Sequence, residues 1–285
     1  MTYRYTTLVV HSGGIGDFLL CCPALLKLSS SESLELLGNP DRLRLGLAAG
    51  LAKAVHDINH VGFESVFNEP SDRFRQFIKP FNRAIIWMRD EAGLIQKGFR
   101  QCGFTNIQIF PGLPPSEWKE HASTYYSQCL GFSETSPFRL SVEPDPLMHD
   151  VIIHPGSGGK SKNWPFDRYL ALAEGLGQNN RLVTWCLGPA EDNFPLSDDE
   201  SSIRIESLPD LARVFGSNRL FIGNDSGITH LAAAVGCPTI AIFGPTDPLK
   251  WAPLGHQVII IRGDPWPELE QVMAAVGSLT PFPFY

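Results

Sequence analysis

The sequence predicts an α/β protein made of two doubly wound, parallel-sheet domains in tandem. Short apolar, β-rich runs alternate with helical patterns along most of the chain, as in parallel sheets covered on both faces. Three of these runs (9–20, 152–164 and 221–234) stop in a small-residue, glycine-containing turn that opens a helix. Between the first and second of these turns, at 133–150, the composition changes to SETSPFRLSVEPDPLMHD. Rich in Pro, Ser and acid, that stretch reads as an interdomain linker. A length of 285 residues suits two moderate domains. The expected division is 1–148 and 149–285, with the last helix and tail a candidate to pack back on the first domain.

Taken in order, TTLVVH (6–11) is a strand that stops at Ser12-Gly13-Gly14. A helix follows from about Asp17 through Pro23 to Leu28, with Pro23 expected in the first turns, where proline is tolerated. Leu34–Gly38 reads as a second strand, and NPDRLRLGLAAGLA as loop and helix. Further strands are expected near 63–67, 83–88 and 106–110. After the linker, strands are expected at 151–154, 181–187, 203–205, 219–223, 239–243 and 257–261. A short helix and the tail SLTPFPFY close the chain.

Composition narrows the function. A net charge of −7 argues against a general nucleic-acid binder. No apolar run reaches the roughly 18 residues of a membrane span, and MTYRYTTLVVHSGG has no apolar core of a secretory signal. Cys21, Cys22, Cys102, Cys129, Cys186 and Cys237 contain no Cys-x-x-Cys pair and no metal-ligand spacing, so they read as reduced thiols. The expectation is a soluble, cytoplasmic protein with no metal site.

The three glycine-containing turns carry the chemistry. Ligands of open parallel sheets collect at the carboxyl ends of the strands, where helix N-termini present unpaired N–H groups suited to phosphate. None of the turns fits G-x-G-x-x-G or the Walker pattern, which excludes the usual nicotinamide and ATPase signatures.

Four stretches together resemble a known family: GGIGDFLLCCPAL (13–25), HPGSGGKSKNWPFDRY (154–169), LGPAED (187–192) and IGNDSGITHLAAAVGCPTIAIFGPTDP (222–248). They are similar to the bacterial lipopolysaccharide heptosyltransferases of glycosyltransferase family 9. EHASTYYSQCLGF (120–132) resembles that family's link to the second domain. The resemblance implies a GT-B fold: two Rossmann-like domains facing a cleft, with the nucleotide sugar on the second. It implies inverting transfer of a heptose or related sugar from a nucleotide diphosphate sugar, ADP-heptose by default, to a lipopolysaccharide-core or similar glycan acceptor. It also implies no required metal and no cofactor, since the nucleotide sugar is a substrate. A glycolipid acceptor would bring the protein to the cytoplasmic face of the inner membrane as a peripheral partner.

Within that reading each motif residue acquires a role. Asp17 stands where the family has its proposed base and would take the acceptor's proton; capping the helix is its competing role. Gly13 and Gly14 form the loop beside it. Lys162, just before Trp164-Pro165, is the expected diphosphate cation. Ser157 and Gly158 supply a hydroxyl and close backbone approach in the same loop, while Lys160 is expected in solvent. Asp225, Ser226 and Gly227 form the second phosphate-contacting turn, with Asp225 accepting from sugar hydroxyls and Gly227 free of a Cβ. His230 would face the same end; its alternative is a buried histidine bonded to backbone. Glu191 is placed for ribose hydroxyls, against the alternative of a solvated loop acid. Phe243–Thr246 would close the pocket floor, and 204–210 would meet adenine.

The seven basic residues between Arg73 and Arg100 could meet an anionic acceptor or form an ordinary exposed face. The chain is also shorter than is usual in the family, mainly in the first domain. Two other classes stay open: a nucleotide-sugar epimerase or hydrolase on the same fold, and a non-catalytic nucleotide-sugar binder.

Overall fold

The computed structural model describes residues 5–135, 137–188, 191, 200–204 and 207–279. The chain divides into two compact units, Met1–Pro137 and Phe138–Tyr285. The division falls 11 residues before the expected one, because most of the linker belongs to the second unit. Leu140 N donates to Ala234 O at 2.8 Å, Asp145 N donates to Arg213 O at 3.1 Å, and Arg139 Nε donates to Val235 O at 3.2 Å.

Unit 1 comprises β1 (Thr6–His11), α1 (Ile15–Ser29), β2 (Ser33–Gly38), α2 (Pro40–Ala48), β3 (Ala54–Asp57), α3 (Asp72–Ile78), β4 (Arg83–Trp87), α4 (Leu94–Gln101), β5 (Ile107–Phe110) and α5 (Ala122–Cys129). Its five strands are parallel, in the order β3-β2-β1-β4-β5. Strand order reverses between β1 and β4, so the switch point lies where β1 ends at His11 beside Trp87. One core face joins Leu8, Val10, Ile86 and Phe99 with Phe63, Val66 and Phe74.

Two expectations are corrected here. The run 63–67 is a 3-10 turn, Phe63–Phe67, entered from Gly62 at φ 81°. Phe63 and Val66 lie three residues apart on its one buried face, a spacing that suits a 3-10 turn and not a strand. The third strand is instead β3, a short edge strand whose His56 meets Glu35 of β2 at 2.7 Å. Pro23 lies mid-helix in α1. The helix continues past it because residues 18–25 are all buried, so packing outweighs the lost backbone bond.

Unit 2 comprises β6 (Val151–His154), a 3-10 turn at Lys160–Lys162, α6 (Phe166–Gln178), β7 (Val183–Cys186), β8 (Ser202–Ile203), α7 (Leu208–Gly216), β9 (Leu220–Asn224), α8 (Gly227–Val235), β10 (Thr239–Phe243), α9 (Pro248–Trp251), β11 (Val258–Arg262) and α10 (Leu269–Leu279). All six strands are parallel, ordered β11-β10-β9-β6-β7-β8. That is the dinucleotide-fold order, with its switch point between β6 and β9. Val151, Ile153, Ile222 and Ile242 on the sheet pack with Leu172 and Leu176 of α6 and Val272 and Val276 of α10. Helix α10 therefore packs within its own unit; the tail 280–285 lies outside the described residues, as does position 205 of the expected strand 203–205.

All six cysteines are free, and burial pushes the Cys186 and Cys237 thiols up to about 12. No helix among the described residues is long and apolar enough to cross a membrane.

Two glycines test the packing. A Cβ on Gly98 of α4 would overlap the Val66 carbonyl oxygen, whereas one on Gly177 of α6 meets nothing within 4 Å. Gly98→Ala should cost roughly 1–3 kcal/mol by overpacking. Gly177→Ala should stabilise by about 0.5–1 kcal/mol through helix propensity. Thermal denaturation of the two variants checks the opposite signs.

Candidate functional site

Both phosphate-type turns of unit 2 leave the sheet at the switch point, one from β6 and one from β9. Asn224, the last residue of β9 and fully buried, ties them together. Its Oδ1 accepts from Trp164 N and from Tyr169 Oη, each at 2.9 Å. Its Nδ2 lies 2.7 Å from Pro155 O and 3.3 Å from Gly156 O. The Asn224 carbonyl accepts from Thr229 Oγ1 at 2.5 Å, which fixes the first turn of α8 to the strand end. The loop 155–164 and the turn 224–227 are thereby held as one piece.

On that base stand the expected polar residues. Lys162 Nζ pairs with Asp225 Oδ2 at 2.8 Å, and His230 Nε2 lies 4.0 Å from Asp225 Oδ1. Asp225 and His230 are buried, while Lys162 is 40% exposed. The cation thus reaches solvent while its partner carboxylate is fixed. Ser226 caps α8, accepting from Thr229 N at 3.3 Å, and Gly227 is the first helical residue. Ser157 closes its own loop, with Oγ 2.7 Å from Gly159 O and 2.6 Å from Asn163 Oδ1. Gly158 and Lys160 are exposed, and a Cβ on Gly158 would meet nothing.

Glu191 is buried and is not a solvated loop acid. Its Oε2 accepts from Gly188 N at 2.7 Å, and its other oxygen occupies the space that a Cβ on Gly156 would fill. Gly156 is therefore a glycine to make room for that carboxylate. His154, at the end of β6, donates from Nδ1 to Cys186 O at 2.8 Å, and burial lowers its pKa. In LGPAED, positions 189, 190 and 192 lie outside the described residues, as do 205 and 206 of the stretch expected to meet adenine. A Cβ on Gly244 would lie 2.6 Å from Pro265 O and the Trp266 ring, which places residues 243–244 against that loop.

In unit 1 the turn after β1 carries Asp17. Its Oδ2 accepts from Gly14 N at 2.8 Å, so the carboxylate caps α1, one of the two roles read from the sequence. Arg42 of α2 donates from Nη1 to Gly13 O at 2.9 Å, placing a half-buried guanidinium at the same turn. Sequence reading passed over Arg42, which sits in an ordinary helical stretch. It also passed over His11, buried at the end of β1 and ringed by Phe18, Trp87 and Tyr126 at centroid distances of 5.4, 6.4 and 6.3 Å. Neither ring nitrogen of His11 has a hydrogen-bond partner among the described residues. Burial, reinforced by Arg42, lowers its pKa to about 4.

The basic stretch is in part internal. Arg75 donates to Pro70 O and Gln101 O, and Arg83 to Glu32 and Gln108. Arg89 lines a hollow of about 620 Å³ at the ends of β4 and β5, with Asp90, Glu91 and Glu117 beside it. Among the described residues, no group of three or more His, Cys, Asp or Glu side chains is placed to hold a metal ion.

Two predictions follow from this geometry. Asn224→Ala leaves buried Trp164 N, Tyr169 Oη and the loop carbonyls unpaired, and should destabilise by roughly 3 kcal/mol or more in urea denaturation; a loss under about 0.5 kcal/mol would contradict the brace. His11 takes up no proton in the folded protein until about pH 4, whereas the unfolded chain does so near 6.5. Its contribution is complete above pH 6.5 and falls as the pH drops toward 4, by about 3 kcal/mol in all. His11→Phe should remove that part of the pH dependence, read as the difference between wild-type and variant unfolding free energies at pH 7 and pH 4.

The sequence model described as "Glycosyltransferase family 9 (heptosyltransferase)" matches residues 137–276. Lipopolysaccharide heptosyltransferase 3 of Escherichia coli K12 is 31% identical over 148 residues, covering 47% of this chain and 43% of that protein. Lipooligosaccharide heptosyltransferase 2 of Haemophilus influenzae is 36% identical over 121 residues, covering 36% of this chain and 33% of that protein. The chain thus spans under half the length of these relatives. The crystal structure of the glycosyl transferase family 9 from Veillonella parvula superposes with a TM-score of 0.76 at 16% identity, covering 98% of both chains. E. coli heptosyltransferase WaaC with ADP does so with a TM-score of 0.71 at 16% identity, over 96% of this chain and 100% of that one. These likenesses establish the fold, two parallel-sheet α/β units of the GT-B class. The stretch similar to glycosyltransferase family 9 is the second unit, which carries the Asn224 brace and the Lys162–Asp225 pair.

Proposed function

We propose that the protein is an inverting glycosyltransferase that moves a heptose, or a related sugar, from ADP-heptose to a lipopolysaccharide-core or similar glycan acceptor. The observation that carries this reading is the pair of turns locked by Asn224, which hold Lys162 and Asp225 at the switch point within the family 9 match. Support for the donor comes from the fold shared with WaaC, solved with ADP and with ADP-2-deoxy-2-fluoro heptose.

In this reading the diphosphate lies over the N-terminus of α8, against its N–H groups and Gly227, and Lys162 turns from Asp225 to the phosphate oxygens. A preorganised cation and amide dipoles stabilise the charge that develops on the leaving oxygen. Asp225, released from the lysine, accepts from sugar hydroxyls, with His230 beside it. Glu191, held in place by Gly188 N, accepts from the ribose hydroxyls. Ser157 and Ser226 serve the donor indirectly, by shaping the two turns that meet it. Asp17 takes the proton of the acceptor hydroxyl as that oxygen attacks the anomeric carbon and the C–O bond to ADP breaks. No metal ion or cofactor takes part. With a glycolipid acceptor, the protein works as a peripheral enzyme at the cytoplasmic face of the inner membrane.

Asp17→Asn should lower the transfer rate by about 100-fold or more while leaving ADP affinity within about twofold. Lys162→Ala should weaken ADP binding by roughly tenfold or more, read by calorimetry. Transfer should persist in excess EDTA. Unchanged transfer by Asp17→Asn would remove the base from the account, and ADP binding with no transfer to any acceptor extract would make the protein a binder.

A further inference from the structure

The ring of His11 carries a cost that the fold alone does not explain. An unpaired, buried N–H or ring nitrogen is unfavourable, and a phenylalanine would fill the same aromatic cage without it. The ring is aimed at one place. A Cβ on Gly13 would lie 2.8 Å from His11 Cε1, the carbon between the two ring nitrogens. The same point is 2.9 Å from Asp17 Cβ and 3.1 Å from Asp17 Oδ2. Gly13 therefore leaves a gap one methyl wide, with the nitrogen-bearing edge of His11 on one side and the Asp17 carboxylate on the other.

We propose that His11 is a positioning residue for Asp17: when the carboxylate leaves Gly14 N–H to take the acceptor's proton, it turns across the gap and accepts a hydrogen bond from the His11 ring. The inference rests on the reading of Asp17 as the base. It supplies the donor that the cap gives up, so the carboxylate keeps one oxygen oriented while the other receives the proton. The charged groups around the ring suit this. Asp17 comes from α1 and Arg42 from α2, Tyr126 of α5 is a hydroxyl pushed up by burial, and Trp87 of β4 is uncharged. Cys21 of α1 and Cys129 of α5 lie around Tyr126 as neutral thiols raised by burial. His11 itself stays neutral, so it serves as a hydrogen-bond donor and does not place a second cation beside the base.

The test is His11→Phe, with His11→Asn and His11→Gln as the variants that restore an N–H at one or the other ring-nitrogen position. His11→Phe should melt at the same temperature or higher, yet lose roughly tenfold or more in kcat with the donor KM unchanged. A hydrogen bond to the charged carboxylate lowers its pKa, so the acid limb of the kcat profile should move to higher pH in His11→Phe. Asn or Gln should restore both. Wild-type kcat and pH profile in His11→Phe would overturn the proposal, as would a loss of kcat that tracks a loss of stability and that neither amide restores. Gly14→Pro, allowed by the Gly14 φ of −69°, removes the N–H that holds Asp17 in the cap and frees the carboxylate to cross the gap without turnover. In that background the carboxyl 13C titration of Asp17, assigned with Asp17→Asn, should move to higher pH when His11→Phe is added, even if no acceptor is ever found; identical titrations there refute the contact whatever the enzyme transfers.

Discussion

The site depends on one side chain with no spare capacity. Asn224 uses both amide hydrogens and both carbonyl lone pairs on groups from the loop 155–164 and from α6, in a place that water does not reach. A carboxylate there would lose the donors, a leucine would lose everything, and a glutamine would carry its amide one methylene too far. Because a buried polar network is costly when half-satisfied, the constraint acts in both directions. It fixes the loop that bears Lys162, and it fixes the strand end from which Asp225 and α8 begin. The same economy of space recurs at Gly156, where the missing Cβ is the room taken by the Glu191 carboxylate.

The two units are built alike but prepared differently. Unit 2 presents a paired cation and anion, Lys162 on Asp225, with the lysine the more exposed of the two. In the proposed reading, exchanging that partner for phosphate replaces one charge-assisted bond with several, so no bare charge has to be stored in the resting protein. Unit 1 presents a carboxylate that doubles as a helix cap, beside a neutral buried imidazole and a guanidinium held on the Gly13 carbonyl. Each group given a role in the proposed reaction is thus parked on a partner of its own unit.

Much of the fold was legible because its central strands are apolar runs bounded by glycine and polar turns: 6–11, 151–154 and 239–243 fall on β1, β6 and β10. β3 was not, since AVHD is a four-residue, half-polar edge strand with no run to recognise. Phe63–Phe67 misled for the opposite reason, because its aromatic and β-branched content suits a strand while its buried residues follow the 3-10 spacing. At the site, the motif residues Lys162, Asp225 and His230 do come together. The brace was invisible although Asn224 stands in the same motif, because its partners lie 55 to 69 residues away. His11 and Arg42 carried no local pattern; only the close approach at Gly13 reveals them.

The most direct measurement is a crystal structure of the protein with ADP. It should show the diphosphate over the α8 N-terminus, Lys162 Nζ moved from Asp225 onto a phosphate oxygen, and the Asn224 bonds unchanged. ADP bound elsewhere, or bound there with Lys162 still on Asp225, would contradict the account.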